Sequence, residues 1–197
     1  MSKYLALALA STIRHDGDGG VADDLADVDG LTAWVHEQAA QLGDSARGFI
    51  ADVAALEQII ALRRAVRALF AHAVRPGPPS RADAGRLLPM PKALKHINHV
   101  AAAVPVTLQM RWPGAAAPIA VVLDPESDAV TRMGAAIARD TIGFLSGPDR
   151  ASLRACTAPR CVRYFLQDHG RQEFCKPTCA ARARAARHYQ RHKAPTS

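Results

Sequence analysis

The chain has 197 residues, is 49% hydrophobic but only 5% aromatic, and carries a formal charge of +7. That length holds one ordinary domain with a small satellite, and the composition, rich in alanine and leucine, favours helices over sheets. Its apolar runs fall far short of the roughly 20 residues a bilayer span needs, so no membrane association is expected.

Tyr4 to Ala10 is apolar, but it is only seven residues long and little basic charge precedes it. It reads as the first buried element rather than a secretory leader, so the protein is expected to be cytoplasmic with reduced thiols. Asp16 to Gly20 (DGDGG) is a loop, continued by Asp23 and Asp24. The aspartates at 16, 18, 23, 24, 27 and 29 lack the glutamate an EF-hand needs, and read as a solvated acidic loop. Leu31, Trp34, Val35 and the stretch to Leu42 suggest an amphipathic helix with Asp29 as its cap, ended by Gly43.

Phe49, Val53, Leu56, Ile59, Leu62, Val66 and Phe70 recur at helical spacing and predict a long helix over about 48–73. Pro76 to Pro79 is a loop; residues 80–99 predict a helix interrupted near Pro89 and Pro91. His96 and His99 share a helix face there, with no partner motif that would make them a metal site. Val104, Val106, Leu108, Met110 and Trp112 alternate with polar residues, which predicts a strand with one apolar face. After Pro113 and Gly114, Ile119 to Leu123 forms its hairpin partner. A helix from Ser127 to about Leu145 follows, with Val130, Met133, Ile137, Ile142 and Leu145 inward and Gly147-Pro148 closing it.

All four cysteines lie near the end of the chain, as Cys156-x4-Cys161 and Cys175-x3-Cys179. Two local pairs across a short segment suit one structural zinc ion held by four thiolates, which leaves no coordination position for a reacting water. Two disulfides, or four unrelated buried thiols, are the competing readings. Val162 to Leu166 predicts a strand, Asp168 to Arg171 a turn, and a return strand ends at Phe174. Pro177 suits the first turn of a closing helix, on which Ala181, Ala185 and Tyr189 are spaced to pack inward. The fold expected is mostly α (α+β): a helical N-terminal domain with one β-hairpin over 1–150, and a small treble-clef-like zinc finger over 151–197.

Residues 151–197 carry ten Lys and Arg against two Asp and Glu, whereas residues 1–150 are nearly balanced, with fifteen against sixteen. The basic excess therefore lies with the cysteines. It points to an anionic partner, DNA first, unless the helix is simply a solvated basic surface. Arg163, Arg171, Arg182, Arg184, Arg187 and Arg191 are the candidate nucleic-acid contacts. The alternative is a zinc-stapled module that docks protein or RNA. An enzyme is not expected, because no nucleophile elbow, Walker loop or dinucleotide fingerprint occurs; a pocket near Trp34, Trp112 and His96 is where one would reside.

The run from Cys156 to Tyr189 resembles the CGNR zinc finger, named for the Cys-Gly-Asn-Arg at its fourth ligand, and residues 135–156 resemble its lead-in. LALALASTI (5–13), DDLAD (23–27), LTAW (31–34) and LRRAVRALF (62–70) resemble the ABATE domain found before that finger. The resemblance implies zinc at Cys156, Cys161, Cys175 and Cys179, DNA binding through the finger, and a role as a bacterial transcription regulator of stress responses. The N-terminal domain is expected to sense a small-molecule effector or to form a homodimer. Here Ala180-Ala181-Arg182 stands where Gly-Asn-Arg is usual, Phe174 replaces a tryptophan, and Arg171 is alone in a stretch that is often richer in arginine.

Overall fold

The computed structural model describes residues 3–18, 20–83, 85–123 and 127–193. Helix α1 (Leu5–Ala10) buries Leu5, Ala6, Leu9 and Ala10. Its unpaired Ala6 N–H donates to Asp140 at 2.8 Å, which satisfies a helix-end donor and ties the N-terminus to a distant helix. Strands β1 (Ile13–His15) and β2 (Val21–Asp23) then pair antiparallel, a second hairpin in the first 150 residues where one was expected. Three-residue strands are too short to show a period in the sequence.

The acidic loop is the turn of that hairpin, and its aspartates have structural tasks. Asp16 accepts the N–H groups of Asp18 and Gly20, and Gly17 takes a positive φ of 109°. Asp23 receives both guanidinium nitrogens of Arg63, at 2.5 and 2.7 Å. Helix α2 (Val28–Glu37) is capped by Asp27, whose carboxylate accepts Gly30 N–H at 2.8 Å. Asp29, expected as the cap, lies inside the first turn, where the helix dipole still favours its charge. A short α3 (Ala39–Leu42) ends at Gly43, whose φ is 59°.

The predicted long helix is α4 (Val53–Ala73), started by Asp52 accepting Ala55 N–H at 2.7 Å. Every residue from Ala65 to Ala71 is buried, so its second half is the axis of the core. Pro89 and Pro91 begin α5 (Met90–Ala102) rather than interrupting it, because a proline in the first turn forgoes only an N–H that has no helical partner. Helix α6 (Ala129–Ser146) is capped by Asp128 and ends at Gly147. Met133 and Ile137 face inward as predicted, but Phe144 is the buried aromatic of its last turn and Ile142 lies partly outside. Phe70 packs against both Phe144 and Tyr164 in T-shaped pairs, with ring centroids 5.5 Å apart in each case.

Strands β3 (Thr107–Arg111) and β4 (Ile119–Leu123) pair with the expected partners, Met110 opposite Ala120. The face that alternation predicted as inward is open: Leu108 is 71% exposed, Met110 72% and Trp112 66%. A period of two shows which side chains share a face, not that a layer covers it.

Strands β5 (Leu153–Ala155) and β6 (Tyr164–Leu166) form the third hairpin, with Arg154 opposite Phe165. Thus β6 pairs with the segment before the first cysteine, not with a return strand ending at Phe174. The return segment is held by side chains instead. Gln172 accepts Asp168 N–H at 2.7 Å, and Gln167 donates to the Gln172 carbonyl at 2.9 Å. Helix α7 (Pro177–Lys193) closes the chain. None of the helices among the described residues is long and apolar enough to cross a membrane.

Candidate metal centre

Alternation along β5 and β6 places the finger against two cores at once. Leu153 and Tyr164 join the main core, whereas Phe165 packs with Cys156, Ala158, Cys161 and Cys179 in a small second cluster. The loop from Cys156 to Cys161 closes the β5–β6 hairpin. Cys156 N–H donates to the Arg163 carbonyl at 2.9 Å, Cys161 N–H to the Ala158 carbonyl at 3.0 Å, and Arg160 takes a positive φ of 66° to make the turn. Cys175 precedes α7 by two residues and Cys179 lies in its first turn, so the positive end of the helix dipole faces both sulfurs.

The four cysteines are the single group among the described residues whose donor atoms converge as metal ligands, all within 4.8 Å of one another. Cys161 and Cys175 sulfurs are 3.6 Å apart, as are those of Cys175 and Cys179. A tetrahedron with zinc–sulfur bonds of about 2.3 Å has edges of about 3.8 Å, so the cluster fits one zinc ion. Hydrogen bonds from Cys161 and Cys175 hold the Cys156 thiol down at about 3. Contacts with Cys156 and Cys161, and then burial, push the Cys175 thiol up. A bound cation favours the deprotonated form of each thiol it ligates. Zinc held by four thiolates is structural, fixing the knuckle to the start of α7.

Arg182 donates to Cys179 Sγ at 3.2 Å. The one retained residue of the Gly-Asn-Arg signature thus steadies the fourth thiolate, a contact that spacing alone did not reveal. The model matches of known families agree with this geometry. Residues 4–148 match the ABATE family, described as "Putative stress-induced transcription regulator", and residues 152–192 match the CGNR zinc finger. This chain belongs to the ABATE family. Neither description is of an enzyme. A comparison with curated proteins finds no match.

In this ABATE protein α7 docks differently from its predicted pattern. Cys179 and Ala183 are its buried residues, with Ala180, Arg182 and Ala186 half-buried, while Ala181, Ala185 and Tyr189 are exposed. The zinc ligand sets which face turns inward, and it lies two residues off the predicted stripe. Arg184, Arg187 and Arg191 are exposed. A cleft of about 430 Å³ between α7 and the loop at 168–176 brings Arg171, Arg184 and Arg187 together with Lys176. Arg163 is half-buried beside the knuckle and Arg191 lies a turn beyond the cleft. His188 and His192 pair with each other, Nε2 to Nε2 3.1 Å, away from the cysteines.

A buried polar network joins the finger to the helices. Arg67 on α4 binds Asp83 through Nε at 2.7 Å and donates to the Val162 carbonyl at 3.3 Å. The Tyr164 hydroxyl donates to Asp83 at 2.7 Å and accepts Ser80 N–H at 3.2 Å. Burial, and then the neighbouring Asp83 charge, push the Tyr164 phenol well above its ordinary value, so it stays a donor. Nothing in the spacing of Arg67, Ser80, Asp83 and Tyr164 announces this cluster.

The helical part holds a second cavity of about 430 Å³ between α4, α5 and α6. Its walls are Ile59, Leu62, Val100 and Val130, and small residues at Ala61, Ala103 and Gly134 leave the space open. His96 Nε2 is buried there without a hydrogen-bond partner. Burial, and then the proximity of His99, lower the His96 pKa, which keeps the ring neutral. Trp34 and Trp112 do not line this cavity: Trp34 is in the core and Trp112 is on the open hairpin.

Proposed function

We propose that this protein is a zinc-dependent, DNA-binding transcription regulator of a bacterial stress response, acting in the cytoplasm. The basic face of the zinc-anchored α7 carries this reading: Arg184 and Arg187 share a cleft with Arg171, and no acidic residue occurs along the helix. Zinc fixes the first turn of α7, so the exposed arginines are presented by a rigid element rather than a loose tail. Arg163, Arg171, Arg184, Arg187 and Arg191 meet phosphates or base edges, while Arg182 approaches the DNA from its anchor on Cys179. The N-terminal residues 1–150 act as the sensing and pairing part, separate in role from the finger at 151–197. A small, largely apolar effector with one hydrogen-bonding group fits the cavity beside His96.

Fluorescence anisotropy on labelled duplex DNA tests the reading. With about five arginine contacts, log K falls against log salt with a slope of roughly −4 to −5. Binding that ignores salt, or absence of binding at low salt by zinc-loaded protein, refutes it. Preference for a protein or single-stranded RNA partner over duplex in the same assay does so too.

A further inference from the structure

The β3–β4 hairpin leaves the body of the protein with both faces open: residues 105–120 are exposed throughout. Its two faces differ. Val106, Leu108, Met110 and Trp112 lie on one, joined by Ala120, which pairs with Met110. Thr107, Gln109 and Arg111 lie on the other, opposite Leu123, Val121 and Ile119, so the charge in β3 is confined to that side while Ile119 is 52% exposed there. A two-stranded hairpin is marginal in water unless a further layer covers its apolar face. Such a face, ending in a tryptophan and bare of charge, is what a soluble protein covers in its working state.

We propose that the covering layer is a second copy of this chain, the two hairpins meeting apolar face to apolar face across a two-fold axis. Area supports this occupant. The exposed parts of Val106, Leu108, Met110 and Trp112 amount to roughly 500 Å² per chain, so a pair removes about 1,000 Å² from water, the size at which specific interfaces begin. The chemistry supports it too. An uncharged apolar face is complementary to itself and needs no matched ion pairs, while Gln109 and Arg111 remain in solvent on the outside of the pair. Trp112 and Met110, at the free end of the hairpin, are residue types that dominate interface cores. This rests on the pairing role proposed for the N-terminal part and names the surface that performs it. Two copies joined there carry two fingers, which suits DNA sites repeated about a two-fold axis.

The test is the solution mass of the zinc-loaded full chain by sedimentation equilibrium across the micromolar range. The chain is 21.0 kDa, and the expected mass is twice that. Leu108→Glu with Met110→Glu puts two charges into the joined face and weakens dimerisation by at least about 100-fold. Gln109→Glu, on the opposite face, leaves the dimer intact. Zinc content, circular dichroism and duplex binding are read on the same samples. A monomeric native chain overturns both the pairing role and this surface. A dimer that survives both glutamates, or one broken equally by Gln109→Glu, overturns the surface alone. Loss of DNA binding with the dimer intact counts against the DNA reading and leaves this one standing. Native chain that binds lipid vesicles through Trp112 instead of pairing overturns it in favour of a membrane.

Discussion

Replacing Tyr164 by phenylalanine removes one oxygen and nothing else from the join between finger and helices. The ring keeps its T-shaped contact with Phe70 and its place under Arg67, so packing is unchanged. Two hydrogen bonds go: the donation to Asp83 at 2.7 Å and the acceptance from Ser80 N–H at 3.2 Å. Ser80 is 1% exposed and Tyr164 2%, so no bulk water replaces them. A hydrogen bond to a charged group contributes about 1.5–3 kcal/mol, and an orphaned buried N–H costs about 1–3 kcal/mol. The carboxylate keeps Arg67, which limits the sum, and we expect a loss of about 3 kcal/mol. For a chain of this size that is about 6–12 °C in Tm. Urea unfolding should be followed by circular dichroism and by zinc release to a chromogenic chelator. Both curves should move together to lower urea, because Tyr164 sits in the finger hairpin and Asp83 in the helical part. A change under about 0.5 kcal/mol would refute the energetic account. Zinc release that shifts while the helical signal stays would refute the mechanical coupling. In a double-mutant cycle with Asp83→Asn the pair should show a coupling of at least about 1 kcal/mol.

Arg182→Leu should weaken zinc affinity about 10–100-fold in competition with a chelator, since outer partners of metal ligands typically have effects of that size; equal affinity would show that the contact to Cys179 is idle. Chelating the zinc should melt the first turns of α7 and the Cys156–Cys161 knuckle while most of the dichroism of α4 and α6 persists, and full retention of α7 signals would contradict a metal-dependent finger. For Asp23, burial works to raise the pKa, but the hydrogen bonds from Arg63 and the Leu25 N–H outweigh it and hold the carboxyl below its usual 3.8. A depressed carboxyl contributes stability that is present above pH 3.8 and lost as pH falls through the folded value. Asp23→Asn should therefore be less stable than the native chain at about pH 7, with the gap closing in strong acid; a gap independent of pH would refute the ion pair's role.

The parts of this protein that were legible in its sequence are those set by local chemistry. Cysteine spacing gave the metal cluster because each close pair has to bend toward the same point. The apolar repeat over about 48–73 located α4, which starts later than predicted, at Val53 behind its cap Asp52, since a helix buried around much of its circumference still shows its period. Polar-to-apolar alternation located β3, and the Pro113-Gly114 turn its partner β4, yet the open face of Leu108 and Met110 was not legible, because covering layers come from elsewhere in space. The cap of α2 is Asp27 rather than Asp29, where several aspartates compete, and α6 starts at Ala129 behind its cap Asp128 rather than at Ser127. The finger's hairpin partner was misplaced because Gln167 and Gln172 take over backbone groups that a return strand would use. The buried Arg67–Asp83–Tyr164 cluster joins positions far apart in the chain and leaves no periodic trace.

That cluster has a consequence for how such proteins can be recombined. Treble-clef-like fingers are commonly imagined as portable cassettes, to be cut out and fused wherever a metal-stabilised reader is wanted. Here Leu153 and Tyr164 are part of the helical core, and Val162 receives its hydrogen bonds from Arg67 and Ser80. A transplanted finger would carry an apolar flank and a buried tyrosine into solvent, and the donor protein would be left with an arginine–aspartate pair open to water on one side. Shuffling of this finger between proteins therefore has to bring along the α4 surface, or rebuild it, and the two halves of the chain are expected to have changed together.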